Sequence, residues 1–327
     1  MKRFQLVISL AVCFSFVLIS ACGSSKIEID PTSKPIVQQN SFPKTITVQG
    51  EEVRIEKQPQ RIAALSLDAA EAVLDISGAK HLAVIPKSST DPALAFQAEE
   101  ASKVEHKIAS AASLDPEQVL AFQSDLIIMT KVHNAEQDAD QLLKKAGIPI
   151  LSLSAWNTFE HIWTNYAWIG EAIGEEDSAK QIIDEMKAKV DEVQQKLEGV
   201  AKPSVLVISP LGPGTGPYFI GSSNISYEIV KLAGANHSAD ELGITRVTKA
   251  SIEQIIKTDP DYILLIQWKE GDAADLDEIT NTPGWQTLKA VKGNNVKIMT
   301  VKQLFYPNRY NTDSLQELAR WLHPDRF

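Results

Sequence analysis

Residues 175–200 read EEDSAKQIIDEMKAKVDEVQQKLEGV and contain neither proline nor glycine before Gly199. Aliphatic side chains recur in this stretch at intervals of three and four residues, which is the spacing of one helical face, and charged residues fill most other positions. At a rise of 1.5 Å per residue the predicted helix is about 37 Å long, longer than a typical domain helix. Its apolar face is predicted to consist of Ile182, Ile183, Met186, Val190, Val193 and Leu197.

Short apolar strands alternate with amphipathic helices on both sides of this long helix. The alternation predicts βαβ units around a parallel sheet in each half. The expected fold class is therefore α/β, with two Rossmann-like lobes that have central sheets and are joined by one long α-helix. The predicted strands are RIAALSL (61–67), HLAVIP (81–86), DLIIMT (125–130) and IPILSLS (148–154) in the first half, and SVLVISP (204–210), DYILLIQW (261–268) and NNVKIMTV (294–301) in the second.

Two local signals are expected at the start of the first lobe. TITVQGEEVRIEK (45–57) alternates apolar and polar residues around Gly50, which predicts a β-hairpin. In DAAEAVLDISG (68–78), Asp68 and Glu71 have the spacing of a capping box, and Gly78 is placed to end the helix.

The two halves share one internal repeat. DPEQVLAFQSDLIIM (115–129) and SIEQIIKTDPDYILLI (251–266) each give Glu, Gln, two aliphatic residues, a short turn with an acid, and an apolar strand. Glu117 and Glu253 are therefore predicted in the first turn of equivalent helices. The aliphatic residues Val119, Leu120, Ile255 and Ile256 are expected to face the sheet. The repeat fits two similar lobes.

The N-terminus has the pattern of a lipoprotein signal peptide. Lys2 and Arg3 precede an uncharged apolar run over 4–19, which is too short to span a bilayer comfortably. The run ends in Ile-Ser-Ala-Cys at 19–22 and resembles the lipobox of bacterial lipoproteins. That resemblance implies cleavage before Cys22 and lipidation of its thiol. Residues 23–43 are rich in serine, proline and polar side chains, which is typical of a flexible tether.

Composition and the absence of catalytic motifs argue against several classes of function. The chain has 327 residues and a net charge of −10, which argues against a nucleic-acid partner. Of its two cysteines, Cys13 lies in the predicted signal, so the mature chain can form no internal disulfide. There is no G-x-S-x-G elbow and no P-loop. The glycine-rich segment 212–216 departs from the dinucleotide fingerprint, because Phe219 stands where the third glycine should be. This loop is therefore expected to shape a cleft.

These patterns predict a domain order with defined boundaries. The predicted segments are the signal peptide (1–21), lipidated Cys22 with its tether (22–44), the N-terminal α/β lobe (45–174), the linker helix (175–202) and the C-terminal α/β lobe (203–327).

The succession of lipobox, RIAALS, DPEQVLAFQSDLII, the long helix, LAGANHS, SIEQIIKTDPDYILL and LARWLHP resembles a known family. It is similar to the periplasmic-binding-protein-like lipoproteins that serve iron–siderophore, haem and cobalamin ABC importers, over about 45–323. The resemblance implies that a ligand is bound in a cleft between the two lobes. It also implies a non-enzymatic monomer on the extracytoplasmic side of the cell membrane, partnered by a permease and its ATPase. It also implies that one glutamate per lobe, Glu117 and Glu253 by position, docks a basic pocket on the permease.

Ligands of open α/β sheets bind beyond the carboxyl ends of the strands, which selects residues that follow the apolar runs. Cations and aromatic side chains mix at these places. A ferric siderophore presents anionic oxygens and flat or greasy arms, and such side chains would suit it. The predicted ligand-binding residues are Lys131, Trp156, Tyr218, Arg246, Trp268, Tyr306 and Arg309.

The sequence also allows other classes of ligand. Haem would take a Tyr, His or Met to its iron, and Tyr306, Tyr218 or His133 could serve. Cobalamin is disfavoured, since Ala111 and Thr130 stand where cobalamin binders of the family carry tryptophan. No direct metal site and no intrinsic cofactor are expected, because the histidines lie mostly within elements rather than after strands. A lipoprotein that only interacts with other proteins is the alternative of another class.

Overall fold

The computed structural model describes residues 41–109, 115–131, 140–153, 156–269 and 274–327. The predicted signal peptide, Cys22 and the tether up to residue 40 lie outside the described residues. No helix among the described residues is long and apolar enough to cross a membrane.

The first lobe begins with the predicted hairpin and continues into a parallel sheet. In the hairpin, Gln49 and Gly50 both have positive φ angles, 53° and 85°, which matches the tight turn that antiparallel strands need. The five-stranded sheet has the order β5-β4-β3-β6-β7, and all of its pairs are parallel. The strands are β1 (Lys44–Val48), β2 (Glu51–Ile55), β3 (Ile62–Ala64), β4 (Leu82–Pro86), β5 (His106–Ile108), β6 (Leu126–Thr130) and β7 (Ile150–Leu153).

Helices cover this sheet. They are α1 (Leu67–Ser77), α2 (Ala98–Ser102), α3 (Pro116–Ala121), α4 (described over 140–144) and α5 (Phe159–Ile173). Gly78 ends α1 as predicted, with a φ of 69°. The predicted capping box is wrong. The N-cap of α1 is Ser66, and the Glu71 carboxylate instead accepts the backbone N–H groups of Phe96 and Gln97.

The predicted linker is α6 (Glu176–Lys196), 21 residues and so about 31 Å long. It packs against α1 and α5 of the first lobe and against α7 (Ile225–Leu232) and α12 (Asn311–Leu322) of the second. It is shorter than predicted because Leu197 already leaves helical geometry. Gly170 of α5 lets α6 approach closely, since a Cβ there would lie 2.3 Å from the Cβ of Ala179.

The second lobe is built on a six-stranded mixed sheet. Its order is β11-β9-β8-β12-β13, and β10 pairs with β8. β8, β12 and β13 run parallel, whereas β9 is antiparallel to both β8 and β11. Its strands are β8 (Ser204–Pro210), β9 (Pro217–Phe219), β10 (Asn236–His237), β11 (Thr248–Lys249), β12 (Tyr262–Gln267) and β13 (Val296–Thr300).

The helices of the second lobe are α7 (Ile225–Leu232), α8 (Ile252–Thr258), α9 (Asp277–Thr280), α10 (Lys289–Lys292), α11 (Val301–Leu304) and α12 (Asn311–Leu322). Long apolar runs become central strands, and β6, β8 and β12 contribute mostly buried residues. The predicted α/β class with two lobes and parallel central strands is confirmed.

Candidate functional site

A cleft of about 540 Å³ opens where strands of both lobes end. From the first lobe it receives the segment that follows β4, and from the second the residues that follow β8, β12 and β13. This is the position at which open α/β sheets bind ligands. The lining residues are Asp91, Pro92, Ala93, Pro213, Trp268, Lys269, Asp275, Thr300 and Lys302.

Of the predicted aromatic residues, Trp268 lines the cleft, and Tyr306 packs against Trp268 without being one of the lining residues. The two rings meet edge to face, with centroids 6.0 Å apart. Burial raises the pKa of the Tyr306 phenol. Tyr306 is therefore expected to stay neutral and to support the indole, rather than to offer an anionic oxygen to iron.

Two lysines, neither of them predicted, supply the positive charge of the cleft. Lys269 is exposed directly after Trp268. Lys302 donates to the backbone oxygen of Pro92 at 2.8 Å, and its ammonium lies 5.1 Å from the centre of the Phe96 ring. Lys302 thus contacts the opposite lobe while lining the cleft.

The glycine-rich loop shapes the cleft, as predicted. Pro213 lines the wall, and the backbone N–H of Gly214 donates to the Asp275 carboxylate at 2.7 Å. One oxygen of Asp275 is therefore committed to holding the loop.

A clasp joins the lobes beside the cleft; we use this name for Phe96 and Gln97 of the first lobe with Tyr310 of the second. The rings of Phe96 and Tyr310 stack with centroids 4.4 Å apart. The Gln97 amide donates to the Tyr310 hydroxyl at 2.9 Å and to Asp75 at 2.7 Å. The clasp and Lys302 together fix the segment 91–97, whose start lines the cleft.

Two carboxyl groups of α1, those of Asp75 and Glu71, accept hydrogen bonds from Gln97 of the clasp. Asp75 accepts the hydroxyl of Tyr166 at 2.7 Å, and burial raises the pKa of its carboxyl. Glu71 accepts the N–H groups of Phe96 and Gln97 at 3.1 and 2.9 Å. Burial outweighs these two hydrogen bonds and raises the pKa of Glu71 to about 7.

The structure engages other predicted ligand residues elsewhere. Trp156 is only 4% exposed, and its indole N–H donates to Thr130 Oγ1 at 2.9 Å. Lys131 faces Asp140 at 3.5 Å. Arg309 forms an ion pair with Glu185 of the linker helix at 2.8 Å.

Tyr218 and Arg246 lie near the far edge of the second sheet. Tyr218 is half-buried within β9, opposite Ser209 and Lys249, and Arg246 is exposed just before β11. Neither lines the cleft described above. A position just after an apolar run is therefore shared by residues that line the cleft and by residues that contact local partners. That position alone does not identify a ligand-binding residue.

The two glutamates of the repeat occupy the predicted first turns and are exposed. Asp115 caps α3 by accepting the backbone N–H of Glu117, and Ser251 caps α8 by accepting that of Gln254. Val119 and Ile255 are buried as expected. The expectation for Leu120 and Ile256 is wrong, because both are exposed.

Within the described ranges, no group of three or more His, Cys, Asp or Glu side chains converges to hold a metal ion. Asp91, Lys269, Asp275 and Lys302 are the charged cleft residues that sequence reasoning missed. Lys269 and Lys302 could have been found, since each follows a predicted strand by one or two residues. Asp91 belongs to a segment without strand or helix signal.

The family profile described as "Periplasmic binding protein" matches residues 62–302. The chain is 25% identical over 320 residues to the Uncharacterized ABC transporter substrate-binding lipoprotein YvrC of Bacillus subtilis (strain 168), covering 97% of this chain and 96% of that protein. It is 29% identical over 184 residues to the Fe(3+)-citrate-binding protein YfmC of the same organism, covering 55% of each chain.

Solved structures share the fold. The periplasmic heme-binding protein RhuT from Roseiflexus sp. RS-1, in apo form, has a TM-score of 0.70 at 16% identity and covers 82% of this chain and 99% of its own. The molybdate-bound MolA of Haemophilus influenzae has a TM-score of 0.72 at 17% identity and covers 87% and 92%. Because these proteins are named for different ligands, the shared fold does not by itself select a ligand.

Proposed function

Because the chain belongs to the periplasmic binding protein family, we propose that it is the extracytoplasmic lipoprotein that captures a ferric siderophore and delivers it to an ABC permease and its ATPase. The chain is a substrate-binding component that carries its ligand and performs no catalysis. It acts as a monomer, with each lobe contributing one wall of the cleft.

The observation that carries the proposal is the make-up of that cleft. An indole wall at Trp268 stands beside the ammonium groups of Lys269 and Lys302, at the carboxyl ends of strands from both lobes. Flat, partly apolar arms can stack on the indole, and anionic oxygens can accept hydrogen bonds from the lysines. The relative named for ferric citrate supports an iron complex as the cargo.

Lys131, Trp156, Tyr218, Arg246 and Arg309 remain proposed ligand residues of a second rank. Lys131, Tyr218 and Arg309 are half-buried, Trp156 is buried and Arg246 is exposed. Lys131, Trp156 and Arg309 also contact polar side chains of the protein itself. A cargo that reaches them would have to displace existing partners such as Asp140 or Glu185. We therefore place the principal cargo contacts at Trp268, Lys269 and Lys302, with the Tyr306 ring packed against the indole.

Haem is the second candidate, and the fold shared with a heme-binding protein is compatible with it without selecting it. Among the tyrosines predicted as possible iron ligands, Tyr306 packs against the lining residue Trp268. Tyr306 is not one of the residues that line the cleft, whereas two lysines and an indole are, so the siderophore is the better fit.

Anchoring is assigned to Cys22. The proposal is that signal cleavage leaves Cys22 as the first residue and that its lipid holds the protein at the outer face of the cell membrane. Stable attachment takes more than one acyl chain. A Cys22→Ser protein is expected to be exported but to leave the membrane fraction; retention like that of the wild type would reject the assignment.

Docking is assigned to Glu117 and Glu253. Both carboxylates are exposed, one on each lobe, and neither forms an ion pair within the described residues. Each is therefore available for a basic pocket on the permease. Changing both to alanine is expected to stop uptake while leaving cargo affinity within about twofold, since neither residue lines the cleft.

The direct test is a fluorescence titration of the purified protein with ferric citrate, a ferric hydroxamate, a ferric catecholate, haemin and cobalamin. Free Fe³⁺ and Zn²⁺ serve as controls. The proposal expects tryptophan quenching at micromolar concentration or below by a ferric siderophore. Quenching by haemin alone would move the assignment to haem. A response to bare metal alone would reject both.

A further inference from the structure

The two proposed docking helices expose an aliphatic side chain at the same offset from their glutamates. Leu120 follows Glu117 by three residues and is 36% exposed, and Ile256 follows Glu253 by three residues and is 44% exposed. Residues three apart on a helix are neighbours on its surface. Each lobe thus presents a carboxylate next to an apolar side chain; we call each pair an acid–aliphatic patch.

Such exposure is uncommon in this chain. Among the described residues, the exposed large hydrophobic side chains are Leu120, Leu142, Leu211, Ile256, Ile298 and Phe327. Two of these six occupy equivalent positions of the internal repeat. A short helix can leave an aliphatic side chain exposed, but the shortness of the helix does not require an aliphatic residue at that position. In α3 and α8 the neighbouring Val119 and Ile255 already supply the buried face.

The helices that carry the two patches both begin on the carboxyl side of their sheets, the side on which the cleft opens. β5 and β6 are parallel strands of one sheet, so α3, which lies between them in the chain, begins at the carboxyl edge. β11 is antiparallel to β9, and β9 is antiparallel to β8, so β11 runs in the direction of β12. Helix α8 lies between β11 and β12 and also begins at the carboxyl edge.

The Ile256 patch is also held firmly. A Cβ at Gly284 would lie 2.8 Å from the Cδ1 of Ile256 and 2.9 Å from the Cγ1 of Ile252. The glycine therefore allows the segment around 284 to pack against one side of Ile256, while the rest of the side chain stays exposed. A pre-positioned side chain loses less conformational entropy on binding.

We propose that Leu120 and Ile256 are contact residues for the permease, and that each glutamate and its aliphatic neighbour enter one socket that combines a cation with an apolar recess. The inference rests on the proposed docking role of Glu117 and Glu253. It adds that the partner surface must be mixed in chemistry. A carboxylate alone at the rim would mainly set the association rate, whereas an apolar contact beside it excludes water and slows dissociation.

The test replaces each aliphatic residue with serine in the full-length lipoprotein. Leu120→Ser and Ile256→Ser are each expected to reduce uptake about tenfold, the order of effect for one buried aliphatic contact. Uptake is measured with ⁵⁵Fe, supplied as the ferric complex that the wild-type protein binds in the titration. Cargo affinity of the purified variants should stay within about twofold, which also shows that they fold.

Matched controls come from exposed aliphatic residues away from the repeat. Leu142 is 52% exposed on α4, and Ile298 is 47% exposed on β13. Leu142→Ser and Ile298→Ser should leave uptake unchanged. Equal losses in the control variants would overturn the assignment, because the effect would then follow from general surface polarity.

The outcomes separate this inference from the proposals beneath it. If Glu117→Ala/Glu253→Ala stops uptake while the two serine variants transport normally, the mixed socket is wrong and glutamate docking stands. If the glutamate variant also transports normally, the docking role itself is wrong. If the wild-type protein binds none of the ferric complexes, the proposed cargo fails before any docking experiment.

Discussion

Trp268 is the side chain through which cargo binding can be followed, because its indole lines the cleft. Trp321 provides a matched comparison, since it is also half-buried and also meets a tyrosine, Tyr262, edge to face at 4.9 Å. Trp268→Phe is expected to remove most of the cargo-induced quenching and to weaken affinity several-fold. Trp321→Phe should preserve the quenching. Equal quenching in the two variants would show that the cargo does not bind against Trp268.

Glu71 gives the clasp a pH dependence whose sign can be stated. Its pKa is about 7 in the folded protein and about 4.5 when unfolded, so the folded state binds its proton more tightly. The stabilisation is fully present below pH 4.5 and is lost as pH rises through 7. Relative to Glu71→Gln, the wild type should lose up to about 3 kcal/mol of unfolding free energy between pH 4.5 and 8.

Urea unfolding at a series of pH values measures this difference. His237 is buried, which lowers the pKa of its imidazole to about 4, and its contribution has the opposite sign. That contribution cancels in the comparison because both proteins keep His237. Parallel stability curves for the wild type and Glu71→Gln would contradict the account.

At the scale of elements, the crossing of α5 and α6 depends on one missing methyl group. Gly170→Ala places a Cβ against Ala179, which should cost about 1–3 kcal/mol through overpacking and outweigh the gain of up to about 1 kcal/mol in helix propensity. Urea unfolding should show a net loss of about 1–2 kcal/mol.

Two variants control that prediction. In Gly212→Ala the new Cβ would meet only Thr215 Cγ2, at 3.7 Å, so it should be close to neutral. The swap Gly170→Ala/Ala179→Gly should recover much of the loss, since it moves the methyl group to the other helix. A swap no better than the single variant would show that the crossing is not limited by this contact.

At the scale of the whole molecule, the clasp is expected to retard opening of the lobes and therefore release of cargo. Tyr310→Phe keeps the stacking on Phe96 but removes the hydroxyl that accepts from Gln97. One hydrogen bond contributes about 0.5–1.5 kcal/mol net, so the dissociation rate should rise about 2–12-fold. Stopped-flow fluorescence measures it. Tyr227→Phe, which loses a hydroxyl bonded to Asp240 within the second lobe, should release cargo at the wild-type rate.

Most strands of the two lobes could be predicted from the sequence, because an apolar run and its periodicity are recognised from neighbouring residues alone. β3, β4, β6, β7, β8, β12 and β13 all fall on predicted runs. The rule that ligands bind beyond strand ends likewise led to Trp268, which lines the cleft. The clasp could not be predicted, since Gln97 and Tyr310 are separated by 213 positions and no pattern links them. Trp156 and Arg309 share the strand-end signal with true cleft residues, but Thr130 and Glu185 engage them.

The central claim is that this molecule captures an iron complex in the cleft between its lobes. Native mass spectrometry of protein purified from iron-starved producing cells tests it most directly. The account predicts a second mass, one ferric siderophore heavier than the protein, and Trp268→Phe should reduce its share. Protein that carries no iron complex under those conditions, or one that carries haem instead, would contradict the claim.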